Sequence, residues 1–400
     1  MTEPVHRWFV FPHSFSPQLV HSLIAEWGLS SEDVVLDPFV GAGTTLLAAQ
    51  DAGVRASGFD LSPLSELASR VKVAPPDAAA LRSAWAAVKP RIRVRRRLSA
   101  EASYGELVVR AFPETMLPTL DGARRAILDA ERPDAERDAL LLALLAVLPA
   151  FSRLVRKGGW LEERVETLPP KRVRGELDER VQLMAEDLED RQGDGRPSAT
   201  VSVGDARRLP LEDGSVSAVV TSPPYPNRHD YTRVFGVELQ FGFLDWMELR
   251  RLRYQSFSSH PESKPERPKN NGYAEANELR QTIAKIADLI TDKRAKTRIP
   301  QMLHGYFEDL YLTVRELQRV LKANGRAAIV VGNVSYCGIP LEVDRFTVEI
   351  ARQAGFAPRI VYVARRRGNS AQQMKEHGRR PQRESVVVLV KPLSRKNSRS

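Results

Sequence analysis

Hydrophobic positions along the chain switch repeatedly between two periods. Short β-branched or alanine-rich runs, of the kind a sheet buries on both faces, fall at 34–39, 55–60, 200–203, 216–221, 327–331, 360–363 and 386–390. Between them lie stretches of helical period. An alanine-rich segment follows 34–39, and LSPLSELASRVKV follows 55–60. Over 299–321, Leu303, Phe307, Leu310, Val314, Leu317 and Leu321 share one face, and 341–354 repeats that pattern. Strands alternating with helices predict a doubly wound α/β fold. Two stretches interrupt the alternation. Residues 76–197 read as a helical insertion, rich in alanine, leucine and arginine. From 226 an aromatic amphipathic segment passes into the polar HPESKPERPKNNG, predicted to be a mobile loop because it has too little apolar surface to build a core. No repeat of 20–50 residues is visible, which excludes a solenoid or propeller.

Composition narrows this picture. With 400 residues, 42% hydrophobic and 28% charged, the chain has material for one large or two ordinary domains, and wholesale disorder is excluded. The longest apolar run, 139–151, is shorter than the roughly 20 residues a membrane helix needs, so a buried core helix is expected. No secretory signal is visible at the N-terminus, and the single cysteine, Cys337, cannot form an internal disulfide. A cytoplasmic protein is expected, with no membrane partner. The net charge is +10, and residues 365–400 hold eleven basic against two acidic side chains, which points toward a polyanionic partner. A second cationic run holds Lys89, Arg91, Arg93, Arg95, Arg96 and Arg97. Either run alone also fits a solvated charged face.

Two motifs carry the chemistry. In Asp37-Pro38-Phe39-Val40-Gly41-Ala42-Gly43-Thr44-Thr45, two glycines sit where a strand turns into a helix, so a ligand can approach the backbone and the helix N-terminus. A dinucleotide fingerprint would place a third glycine at Leu46, although Asp60 has the spacing for a ribose contact. A tight turn without ligand also fits this motif alone. The second, Thr221-Ser222-Pro223-Pro224-Tyr225, stands at the carboxyl end of the 216–221 strand, where open α/β sheets hold ligands. Two prolines fix the backbone and leave its carbonyls free to accept hydrogen bonds. With the Ser222 hydroxyl as a further acceptor and Tyr225 as a stacking face, the set suits a planar heterocycle bearing an exocyclic amine.

DPFVGAGTT together with TSPPY resembles the amino-methyltransferases of DNA, which methylate cytosine N4 or adenine N6 from S-adenosylmethionine. The resemblance implies a seven-stranded, Rossmann-like methyltransferase core with a helical insertion. It places catalysis at Ser222, Pro223, Pro224 and Tyr225, and the cofactor methionine near Asp37, Phe39, Gly41, Gly43, Thr44 and Thr45. Asp60 would take the cofactor ribose. Asp205 resembles the adenine site, though an acidic loop residue fits equally. The N-terminal FPHSFSPQLVHSLI is similar to a segment that packs over the cofactor, with Phe11, Phe15 and Ser16 as candidates, and is also an ordinary amphipathic helix. The chain then divides into the cofactor half of the core (1–75), the insertion as a candidate DNA-recognition region (76–197), the catalytic part (198–235), a variable, partly mobile region (236–299), the last part of the core (300–391) and a basic tail (392–400).

The SPPY form is commoner among cytosine-N4 enzymes, so the resemblance implies cytosine N4 ahead of adenine N6, acting on a base flipped from duplex DNA. A restriction-modification or defence role, with a cognate restriction enzyme as candidate partner, goes with it. The amine's lone pair is delocalised into the ring, so acceptors at Ser222 Oγ and the Pro223 carbonyl would localise it toward the methyl group. Carbon-5 methylation instead needs a cysteine nucleophile, and Cys337 lacks a Pro-Cys context. The seven histidines show no ligand spacing, so no metal is expected. Asn227, Arg228, Asp230 and Tyr231 are candidates for flanking nucleotides, with Asp230 alternatively a helix cap. RNA amino-methylation and a catalytically silent nucleic-acid-binding scaffold are the rival functions. A dehydrogenase is a third rival, but it would leave Ser222 and Tyr225 unused.

Overall fold

The computed structural model describes residues 3–11, 14–113, 115–191, 195–368, 378 and 381–393. Seven strands form one sheet: β1 (Val34–Asp37), β2 (Arg55–Asp60), β3 (Ala199–Val203), β4 (Val216–Thr221), β5 (Leu321–Gly332), β6 (Ala357–Gly368) and β7 (Pro381–Val390). Their spatial order is β6-β7-β5-β4-β1-β2-β3. Every pairing is parallel except those of β7, which runs antiparallel to both β5 and β6. From β1 the chain first builds outward to β2 and β3 and then returns to place β4 on the other side of β1. The carboxyl ends of β1 and β4 therefore flank the point where the winding reverses, which is where a crevice opens in such a sheet.

Side-chain alternation explains why the strands read as continuous apolar runs. Val35, Ala218, Val220, Ala328, Val330, Val386 and Val388 enter one core, while Leu36, Val219, Ala327, Ile329, Val331, Val387 and Leu389 enter the other. The first face is covered by α1 (Pro17–Trp27), α2 (Thr44–Asp51) and α3 (Pro63–Val73). The second is covered by α4 (Asn277–Leu289), α5 (Lys293–Val320) and α6 (Val343–Gln353). On α5 the residues Leu303, Phe307, Leu310, Val314 and Leu317 are buried, as their spacing predicts. The helix differs from expectation at both ends. It starts earlier, because the Asp292 side chain accepts from Ala295 N and caps it, and it stops one residue sooner, because Leu321 already pairs with Val216 as the first residue of β5.

Among the described residues, 76–197 contain five α-helices (Ala78–Val88, Glu106–Ala111, Met116–Leu128, Asp134–Phe151 and Val173–Asp190) and a ribbon of Leu154–Lys157 with Trp160–Glu163. Leu140, Leu144 and Leu148 join the same core as Leu64, Leu67 and Val71 of α3, so the apolar run at 139–151 is buried within the protein. Among the described residues no helix is long and apolar enough to cross a membrane. The insertion also grips the N-terminus. Asp187, wholly buried, accepts from Val5 N and Trp8 Nε1, each at 2.8 Å, and from the Arg7 guanidinium.

Within 236–299, Gly236–Gly242 and Trp246–Gln255 are helical, as is α4. The polar stretch 260–272 has no regular structure, as its composition implies, but it is tethered. Arg267 Nε lies 2.8 Å from Asp309 Oδ1 on α5, and Lys264 N donates to Tyr254 O. Arg379, Arg380 and the basic tail from 394 onward lie outside the described residues.

Candidate active site

Asp37 ends β1 and joins the two motifs. Its Oδ1 accepts from Thr221 Oγ1 at 2.6 Å and from Phe39 N at 3.1 Å, and its Oδ2 accepts from Thr45 Oγ1 at 2.7 Å. Thr45 lies in the first turn of α2 and Thr221 ends β4, so one carboxylate ties strand, turn, helix and neighbouring strand together. Burial pushes this carboxyl up to about 6, with the two threonines and the Phe39 amide drawing it back. Thr45 is wholly buried and acts through this tie.

The glycines of the turn have separate tasks. Gly41, at φ 51°, donates its N–H to Asp60 Oδ2 at 3.1 Å and lines the cleft beyond the strand ends. Gly43 caps α2 at φ 83° and does not reach the cleft; a Cβ there would stand 3.3 Å from Ser69 Cα. Its role is close packing of the turn against α3. Lys72, fully buried, donates from Nζ to the carbonyls of His6, Phe9 and Ala42. It thereby fastens the N-terminal segment to the glycine turn.

Asp60 ends β2 facing the cleft, with Oδ1 accepting from Ser62 N at 2.9 Å; burial raises its carboxyl and the backbone N–H groups oppose that. Phe39, Thr44, Asp205, Phe11 and Phe15 also line the cleft. Ser16 does not: it caps α1, accepting from Gln18 N. Both oxygens of Asp205 accept from Arg207, which also reaches Asp309 Oδ1 and the Gln255 carbonyl.

The second motif divides in the same way. Ser222 and Pro224 line the cleft shared with Gly41 and Asp60, whereas Pro223 is buried behind it. Ser222 Oγ donates to Val330 O at 3.1 Å, which commits its proton and leaves its lone pairs to accept. Tyr225 is not part of that wall. Its ring lies over Gly332 at the end of β5, and its hydroxyl donates to Glu384 Oε1 on β7 at 2.9 Å. Burial, reinforced by the Glu384 charge, raises the phenol above its ordinary range, so it stays protonated.

Several wall residues were not picked out as site residues in the sequence. Phe235, Leu239, Leu252 and Phe257 close one side, with Phe11 and Phe235 ring centroids 4.5 Å apart and Phe257 edge-on to Phe39 at 5.6 Å. Tyr231, Phe235 and Leu239 recur every four residues, so the helical face was legible, but its destination was not. Asp230 is a cap: its side chain accepts from Arg233 N and pairs with Arg253 at 3.0 Å. His260 and Glu262 lie near Asp230, and Arg253 already supplies positive charge there. Asn227 and Arg228 are exposed, with Arg228 at positive φ.

Comparison with known proteins points to DNA methyltransferases. A DNA methylase family model, of the N6/N4 type, matches residues 2–67. The type II methyltransferase M.BsoBI of Geobacillus stearothermophilus is 28% identical over 440 aligned positions, covering 98% of this chain and 86% of that protein. M.AvaI of a Nostoc strain is 29% identical over 427, covering 98% and 87%. These matches support an amino-methyltransferase of the N4/N6 family. Solved structures align more loosely: an S-adenosylmethionine-dependent methyltransferase from Methanosarcina mazei has 9% identity and a TM-score of 0.31 over 96% of this chain and 99% of its own. A methyltransferase from Bacillus halodurans has 10% and 0.34, over 93% and 98%.

The family's cofactor is S-adenosylmethionine, and the donor set fits it. Asp60 offers a carboxylate for ribose hydroxyls, and Phe11, Phe15, Phe39 and Phe257 offer apolar walls for an adenine. Among the described residues the cleft holds three carboxylates, Asp37, Asp60 and Asp205, and one cation, Arg207, itself paired with Asp205 and Asp309. That balance suits a positively charged sulfonium.

Proposed function

We propose that the protein methylates a specific sequence in duplex DNA at an exocyclic amine of a base turned out of the helix, with cytosine N4 as the target. The observation that carries this reading is Ser222. Its hydroxyl lines the shared cleft and donates its proton to the Val330 carbonyl, which leaves the oxygen lone pairs to accept. When bound, S-adenosylmethionine supplies an electrophilic methyl carbon. Asp60 and the Gly41 turn hold one side of the cleft. Ser222 Oγ, with a backbone carbonyl of the diproline ledge, accepts the amine protons and directs the nitrogen lone pair. The methylated nitrogen is acidic and sheds its proton to solvent, so no strong base is needed within the motif. Pro224 narrows the entrance, and the aromatic side of the cleft excludes water.

M.BsoBI and M.AvaI are named as type II methyltransferases, which supports a restriction-modification role with a cognate restriction enzyme. Methyl transfer from labelled S-adenosylmethionine should appear on duplex DNA, and mass analysis of the hydrolysed nucleosides should give N4-methylcytosine. N6-methyladenine would move the target to adenine, and transfer to RNA alone would overturn the DNA reading.

A further inference from the structure

Outside both motifs, two residues act on the tyrosine of the second. We infer that Gly332 and Glu384 are positioning residues that fix the ring of Tyr225, the residue that follows Ser222 and Pro224 of the cleft wall. This rests on the proposed reading that a nucleobase amine is drawn to Ser222.

Gly332 is the last residue of β5 and Glu384 lies on β7, directly paired with it in the sheet: Glu384 is the register partner of Gly332. An added Cβ on Gly332 would lie 2.6 Å from Tyr225 Cε2 and 2.7 Å from Cδ2, well inside van der Waals contact. No other residue type leaves room for the ring there, although the sequence shows only the end of a strand. Gly332 is not among the glycines at positive φ. Its missing side chain therefore serves the ring and not the backbone. From the neighbouring strand, Glu384 accepts the phenol proton at 2.9 Å. Glu384 is 4% exposed and is itself held by the Arg365 guanidinium. The ring is thus seated on a strand end, pinned at its hydroxyl, and attached through the backbone to Pro224 and Ser222, which line the cleft.

Two strands thus hold one ring, Gly332 by leaving room for its edge and Glu384 by binding its hydroxyl. A charged acceptor fixes the direction of the hydroxyl, and hence the tilt of the ring plane. Misplacement by about 1 Å of a group that orients a substrate can cost roughly a hundredfold in rate.

The test measures methyl transfer by the full chain on whichever nucleic acid the wild type methylates, with kcat, cofactor Kd and melting temperature read for each variant. Gly332→Ala should lower kcat by about tenfold or more while cofactor Kd stays within about twofold. Glu384→Ala should lower kcat similarly, and Glu384→Gln, which keeps an acceptor, should restore most of it. In a Tyr225→Phe background, Glu384→Ala should add little, since the hydroxyl it holds is gone. Should Gly332→Ala fail to fold, the Glu384 and Tyr225 series decides alone. A folded Glu384→Ala with unchanged kcat, or one whose effect is as large in the Tyr225→Phe background as with Tyr225 in place, would overturn the inference. Because every variant is compared with wild type on the same acceptor, the identity of that acceptor is decided separately, by the wild type.

Discussion

Ser222 and Asp60 line the same cleft from the ends of different strands, and they should fail in different ways. Ser222→Ala removes an acceptor without touching the cofactor side. It is expected to cut kcat by roughly one to two orders of magnitude, as loss of one fixed polar partner does elsewhere, with cofactor Kd nearly unchanged. Asp60→Ala should instead weaken cofactor binding by about tenfold, the order expected for a hydrogen bond to a charged group. It should also loosen Gly41, whose N–H it accepts. Separate titrations of cofactor and nucleic acid distinguish the two. His6 gives a residue-scale prediction in pH. Burial, helped by the Lys72 ammonium, pushes its imidazole down from 6.5 to about 4. Between those values the unfolded chain binds a proton that the folded chain excludes, so this site makes stability rise with pH across that window. His6→Leu, compared with wild type by denaturant unfolding at pH 4.5 and 6.5, should show a shallower rise. Asp37, whose carboxyl is raised, contributes with the opposite sign in both proteins and cancels in the comparison.

At the scale of elements, the cofactor side of the cleft depends on the insertion. The helix Val173–Asp190 carries Asp187, which holds Val5, Arg7 and Trp8, and these lead into Phe11 and Phe15 on the cleft wall. Removing that carboxylate leaves a buried N–H and an indole N–H without their acceptor. Asp187→Ala should therefore cost on the order of 2–4 kcal/mol. It should also weaken cofactor binding although it lies outside the cleft lining. Asp187→Asn keeps one acceptor oxygen and should recover part of both, as checked by thermal melts and cofactor titration. The motifs themselves were legible at this scale, because glycines, threonines and prolines in fixed order imply a particular turn. The Arg207 link between Asp205 and Asp309 was not, since Asp309 lies 102 residues from Arg207 in sequence.

Over the whole molecule, positive charge has to be assigned to a surface before it means anything. In the insertion, Lys89 pairs with Asp178 and Arg91 donates to Ala126 O, so these two are partly spent on structure. Arg93, Arg96 and Arg97 are exposed. Reversing these three to glutamate should weaken duplex binding and flatten the dependence of log affinity on log salt by about one unit for each phosphate no longer neutralised. An unchanged slope, measured by fluorescence anisotropy over a salt series, would assign the run to a solvated face. On the other edge of the sheet, Arg383 pairs with Asp344 and Glu342, and Arg365 pairs with Glu384. These pairs hold β7 against α6 and β6.

The sequence by itself determined the strands, the main helices, the glycine turn and the diproline ledge, because each rests on local periodicity or on backbone limits that proline and glycine impose. It also determined that the two motifs belong to one chemistry. Only the tertiary structure decided how their residues divide the work. Asp37, Thr45 and Thr221 became a tie, Gly43 a packing contact, and Tyr225 a ring seated on Gly332, because those outcomes depend on which strand lies beside which. The sheet order that sets β4 against β1, and β7 against β5, arises from packing two cores at once, and no window along the chain contains both partners.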